Sequence, residues 1–225
     1  MGYYCPMSPT PPPGPARGLL LLGPTGSGKT PQGRLVARLP RCHHFDFGAH
    51  LRAAVAGAAS PLSPPEVAFV RGLLDAHQVL PSDRFDIARR LLAAFLAEAG
   101  CDPERDLVVL NGLPRTASQA HDIAPLVQVR LVVVLECSPR AVAARVARRR
   151  QGEGSDDAGR EDDDPRHLPA KLQVHRRHTA PLLALYHAQG VPVLTVAVAA
   201  DTHDEALHRL LVGELARRGL LPQAG

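Results

Sequence analysis

Tryptophan is absent, and five Phe and three Tyr bring the aromatic share to only 4%. Proteins that grip single-stranded nucleic acid interleave basic residues with aromatic faces for the bases. This chain does not. Its net charge of +4 and pI near 9.2 fit an anion pocket at least as well as a nucleic-acid surface. Cysteine is equally scarce. Cys5, Cys42, Cys101 and Cys137 form no C-x-x-C pair, which argues against a zinc signature and a disulfide framework and suits a reducing cytoplasm. Cys42-His43-His44 has metal-ligating residue types, but neighbours on a strand point to opposite faces, so the segment reads as a strand entering a core. A spanning helix needs roughly 20 apolar residues; the run nearest the start, Leu19–Leu22, has four. No basic n-region followed by an apolar stretch is visible, so neither a secretory signal nor a membrane span is expected. Lysine is rarer still: Lys29 and Lys171 stand against 24 arginines. In such a chain a lysine marks a position that wants a compact ammonium.

What is present is ordinary globular material. The 225 residues suit one domain, or one with a small insert. A share of 45% hydrophobic and 21% charged residues is unlike a disordered, collagenous or coiled-coil chain. Proline crowds residues 1–17, which read as a disordered or extended tail. From Gly18 on, apolar runs alternate with amphipathic stretches. The strand candidates are Leu19–Leu22, Cys42–Asp46, Leu107–Leu110, Val129–Leu135 and Val191–Val198. Runs apolar on both faces suit a buried parallel sheet. Between them, Ile87, Leu91 and Phe95 with Ala88, Leu92 and Leu96 form one helical stripe. Ser138-Pro139 supplies an N-cap and an N1 proline for a helix to about Arg150. Leu207, Leu210, Leu211 and Leu215 mark a last helix. The alternation predicts a doubly wound α/β fold. Residues 48–80 read as a helical insert and the acidic, Gly-rich stretch 151–165 as a mobile loop. On charge alone the latter is a solvated surface loop.

The strongest motif is Gly23-Pro24-Thr25-Gly26-Ser27-Gly28-Lys29-Thr30, which matches G-x-x-x-x-G-K-[ST] between a strand and a helix carrying Leu35, Val36 and Leu39. Glycines let such a loop turn its N–H groups inward around phosphate oxygens, and the helix N-terminus adds partial positive charge. Lys29 is expected at the β/γ-phosphates and the Thr30 hydroxyl on Mg²⁺. Pro31 falls in the first helical turn, where its missing N–H costs little.

Downstream motifs narrow the reading. Asn111-Gly112-Leu113-Pro114-Arg115 follows the third strand, and Gln119 lies four residues on. Gly159-Arg160-Glu161-Asp162-Asp163, then Thr179-Ala180-Pro181-Leu182 with Tyr186, come later; Gln32 follows the phosphate loop. In this order they resemble the D-G-[FY]-P-R, lid G-R-x-D-D, T-x-P-L…Y and G-K-G-T-Q motifs of adenylate kinases and related nucleoside monophosphate kinases. The resemblance spans roughly residues 18–218. It implies a five-stranded parallel P-loop NTPase sheet with an acceptor-binding insert at 48–80, a short lid at 151–164 and a C-terminal tail at 219–225. It implies a monomeric enzyme that transfers the γ-phosphoryl group of ATP, with Mg²⁺, to a nucleoside monophosphate. Gln119 leans the acceptor toward AMP.

By this resemblance Lys29, Arg115, Arg145, Arg149 and Arg160 are catalytic, and Arg52 in Gly48-Ala49-His50-Leu51-Arg52 holds the acceptor phosphate. Phe47, Gly48, Gly112, Gln119 and Lys171 complete the acceptor site. Thr30 and, through water, Asn111 hold the metal. Arg145 and Arg149 share one helix face; Arg148 and Arg150 read as solvated. Lid closure would exclude water that competes for the γ-phosphoryl group, with Gly152, Gly154 and Gly159 supplying the bend.

The pattern also departs from the family. Asn111 stands where the family has an Asp that helps hold hydrated Mg²⁺, which predicts weakened Mg²⁺ use. Phe47 and Ala49 replace the Thr and Asp of T-G-D; Phe47 then packs on the base or serves as a core residue. Lys171 stands where many members carry Arg, a point charge without a bidentate fork. Thr30 follows Lys29 where adenylate kinases usually have Gly. These departures keep open a regulatory nucleotide-binding module with weak or lost turnover. The loop is also similar to that of tRNA prenyltransferases, but the later motifs have no role there.

Overall fold

The computed structural model describes residues 14–76, 78–151 and 168–222. Five strands form one all-parallel sheet: β1 (Ala16–Leu22), β2 (Cys42–Asp46), β3 (Leu107–Asn111), β4 (Val127–Cys137) and β5 (Val193–Val198), in spatial order β2-β3-β1-β4-β5. Crossover connections cover both faces of a parallel sheet, so its strands must be apolar on both sides. Alternate residues accordingly feed two cores. Leu20, Phe45, Leu110 and Val132 enter one; Leu19, Leu21, Val109 and Val133 enter the other.

Among the described residues, eight α-helices flank the sheet: α1 (Lys29–Val36), α2 (Phe47–Val55), α3 (Pro64–Asp75), α4 (Asp86–Glu98), α5 (Ala117–Ile123), α6 (Pro139–Arg150), α7 (Leu168–Ala188) and α8 (Asp204–Arg217). The first core collects α2, α3, α4 and the Leu182–Tyr186 face of α7, with Leu182, Val70, Ile87 and Leu92 fully buried. The second collects Val36 of α1 and Leu207, Leu211 and Leu215 of α8. Ser138 caps α6 as its sequence foretells, accepting from the Ala141 N–H at 3.2 Å. The stretch 48–80 is helical, and the Ser63/Glu66 capping box starts α3. Arg90 of α4 reaches the Pro61 carbonyl at 2.8 Å and pairs with Glu66, fastening the insert. Hydrogen bonds from Arg90 and Ser63 hold the Glu66 carboxyl down to about 2.

Residues on both sides of 18–218 contact the fold. β1 begins at Ala16, because Arg17 lays its guanidinium on the Arg105 carbonyl at 2.7 Å and the Ala16 N–H meets the Leu126 carbonyl at 2.9 Å. At the other end Leu220 folds back into the second core, its N–H bonded to the Leu215 carbonyl at 2.9 Å. That is the hydrophobic contact of a helix C-cap.

Candidate active site

Parallel strands deliver their carboxyl ends to one edge, where doubly wound sheets bind ligands. β1 ends at Leu22 and runs into the loop 23–30. Gly23 (φ +153°) is obligatory there. A Cβ at this position would sit 2.5 Å from Ser27 Oγ and 2.8 Å from the Leu135 carbonyl oxygen, and the second of these is backbone. Lys29 Nζ donates to the Gly23 and Pro24 carbonyls at 2.8 and 2.7 Å, which holds the ammonium at the mouth of the loop. Gln32, fully buried, donates to the Asp204 carbonyl at 2.8 Å and ties α1 to the start of α8.

One strand over, β3 ends at Asn111 and Gly112 turns with φ +79°. Around it Phe47, Gly48, Arg52 and Arg115 converge. A Cβ on Gly112 would lie 3.7 Å from Arg115 Nη2 and 3.8 Å from Phe47 Cβ, and one on Gly48 would lie 3.2 Å from Arg52 Nη1. Arg52 and Arg115 thus flank the Gly48–Gly112 pair. Arg115 is held by its Nε–H on the Gly112 carbonyl at 3.0 Å, and its own N–H donates to Gln119 Oε1 at 2.7 Å. Thr116 caps α5 by accepting from the Gln119 N–H at 3.3 Å. The buried Gln119 therefore has a local duty that its sequence position does not disclose. Phe47 is buried in the first core, stacked on Phe45 with centroids 6.3 Å apart. Of its two readings, the core one fits its 6% exposure.

The α6 arginines divide. Arg145 braces the phosphate loop: its Nε–H donates to the Gly26 carbonyl at 2.8 Å, Nη1 to the Thr202 carbonyl at 2.9 Å, and Nη2 lies 3.5 Å from Asp204. Arg149 is buried. Arg148, read as solvated, is exposed yet reaches the Ala200 carbonyl at 3.3 Å. Arg160, the lid glycines and the Lys171 side chain lie outside what is described.

A family profile described as an AAA domain matches residues 22–167. The adenylate kinase of Xanthomonas oryzae pv. oryzae (strain MAFF 311018) is 34% identical over 202 residues, covering 85% of this chain and 96% of its own. That of Xanthomonas campestris pv. campestris (strain 8004) is 31% identical over 197 residues, covering 85% and 96%. That of Synechococcus sp. (strain WH7803) is 28% identical over 203 residues, covering 88% and 98%. The chain belongs to the adenylate kinase family.

Against the family pattern, the carboxyl edge of this adenylate kinase relative holds a residue the motif reading passed over. Asp46 ends β2 and is the register partner of Asn111. Its Oδ2 accepts from Thr30 Oγ1 at 2.9 Å and from Asn111 Nδ2 at 2.8 Å, while Oδ1 caps α2 by accepting from the Ala49 N–H at 3.0 Å. Asn111 Nδ2 also donates to Thr30 Oγ1 at 3.0 Å. Asn111 is here a double donor. The Thr30 hydroxyl and a buried carboxylate beside it are hard oxygen donors, the chemistry that Mg²⁺ takes, so the residues fit that ion. The one sequence signal for Asp46 is a lone acid closing an otherwise uncharged strand.

Among the described residues, His43, Cys101 and Asp106 also bring ligand atoms within 4.8 Å of one another. Asp106 is already engaged by Arg41 at 2.8 Å, His43 at 2.9 Å and the Asp102 N–H at 3.0 Å. Burial, with Asp106 and Asp102 nearby, pushes the Cys101 thiol up to about 11. This group is an ion-pair clamp at the far end of the sheet. His44 points the other way, against Gly33 of α1, and burial holds it down to about 4 despite Asp46. No helix among the described residues is long and apolar enough to cross a membrane.

Proposed function

We propose that this chain transfers the γ-phosphoryl group of ATP to a nucleoside monophosphate, with AMP favoured. The observation that carries the reading is the juxtaposition at one sheet edge: the Lys29 loop after β1 and the Arg52–Gly112–Arg115 group after β2 and β3. Phosphoryl transfer asks little covalent chemistry of a protein. It asks for two anionic groups held in line and for charge to meet the developing negative oxygens.

In this proposal the loop 23–30 wraps the triphosphate with backbone N–H groups, and Lys29 swings from its carbonyl contacts to the β/γ-oxygens. Arg52 and Arg115 clamp the acceptor phosphate. Arg145 keeps the loop in shape, Arg149 and the lid arginine Arg160 add charge, and lid closure excludes water. Gln119 and Lys171 serve the acceptor side. A bound Mg²⁺ would neutralise charge on the β- and γ-oxygens, with Thr30 as its protein ligand.

A coupled assay with MgATP and a panel of AMP, GMP, CMP and UMP tests this; diphosphate formation fastest with AMP is expected. ATP binding without transfer to any acceptor would favour the regulatory module instead, a reading that the core position of Phe47 and the methyl of Ala49 support. Lys29→Ala should slow turnover on the order of 10²–10³-fold, as deletion of a preorganised donor does. Undiminished kcat in that variant would reassign the loop.

A further inference from the structure

We infer that Asp46, at the end of β2, is the acidic residue that couples this site to the divalent cation of its nucleotide, in place of Asn111. The inference rests on the proposed kinase reading. An Asn at 111 carries no charge, and its amide gives one N–H to Thr30 Oγ1 at 3.0 Å and one to Asp46 Oδ2 at 2.8 Å. The carboxylate bonded to Asn111 sits one strand over, on Asp46. The parallel register sets Asp46 opposite Asn111, and Asn111 opposite Leu21, just before the phosphate loop.

The hydrogen-bond pattern gives the coupling a direction. A hydroxyl has one proton and two lone pairs. Thr30 Oγ1 donates its proton to Asp46 at 2.9 Å and takes one N–H from Asn111. The carboxylate draws the hydroxyl proton toward itself and raises the electron density on that oxygen. Asp46 is 9% exposed, so its charge acts at reduced screening on a cation held by Thr30. Asp46 is therefore a positioning residue that acts through Thr30.

Its other duty, capping α2, is separable. Asn caps a helix about as well as Asp. In Asp46→Asn the amide oxygen can keep the Ala49 N–H while its nitrogen donates to Thr30 and to a turned Asn111. Fold and charge can thus be read independently. The experiment measures ATP affinity by calorimetry in excess Mg²⁺ and in EDTA, with no acceptor present, for the full chain, Asp46→Asn, Asn111→Asp and the double exchange Asp46→Asn/Asn111→Asp. Metal-free melting temperatures run alongside. The unaltered chain is expected to bind ATP roughly tenfold tighter with Mg²⁺, a usual size for coupling between ligands. Asp46→Asn should lose most of that ratio at an unchanged metal-free melting temperature. The double exchange, which returns one carboxylate to the other strand, should regain it. A ratio that survives Asp46→Asn overturns the inference, as does a double variant that regains none. An unaltered chain that binds no ATP would overturn the kinase reading and this inference with it. Normal ATP binding with no transfer to any monophosphate would sink the kinase reading alone.

Discussion

At the scale of single residues, this protein places its buried charges where several donors meet them. Asp106 receives Arg41, His43 and the Asp102 N–H. Burial works to raise its carboxyl, but these partners outweigh it and leave the group below its usual 3.8. A carboxyl depressed by folding stabilises above its unfolded value, and that contribution is lost as pH falls through the folded one. Asp106→Asn should therefore cost about 1–3 kcal/mol near neutrality. Urea unfolding across pH should show the two proteins converging below pH 3.8. The clamp is local chemistry that the sequence conceals. The residues are visible, but nothing in the order Arg41, His43, Asp106 says that β2 and the approach to β3 run side by side. Asp46 was hidden for the same reason: its partner Asn111 is 65 residues away.

At the scale of elements, caps and stripes were readable because they act within a turn or two. Ser138 caps α6, and Ile87, Ala88, Leu91 and Leu92 bury one face of α4. What α6 does once formed was not readable. Arg145 braces the phosphate loop and the segment entering α8, with carbonyl partners at Gly26 and Thr202. Its side chain is 13% exposed, so these contacts are largely shielded from water. Arg145→Ala should lower stability by about 2 kcal/mol and weaken ATP binding, by melting and calorimetry. Arg145→Lys should recover only part, because an ammonium cannot span both carbonyls as a planar fork does.

At the scale of the whole molecule, the proposed reading puts donor and acceptor duties on neighbouring strand ends. Lys29 follows β1; Arg52 and Arg115 follow β2 and β3. Damage on one side should then leave binding on the other intact. Arg115→Ala is expected to raise KM for the monophosphate on the order of ten- to a hundredfold while calorimetric ATP affinity holds. Loss of both together would mean the two sides fold as one unit.

The sequence alone was enough for the alternation of strands and helices, the phosphate loop, the helix caps and the family. Each is written in residues close along the chain, through periodicity, backbone freedom and local hydrogen bonds. Only the folded chain decided that Phe47 belongs to the core, that Arg145 is a brace and that Asp46 bonds Thr30 and Asn111. Those roles depend on which strand ends become neighbours, between positions as far as 119 residues apart. Hydrophobic burial brings such residues together without regard to their order, so no local pattern records the meeting.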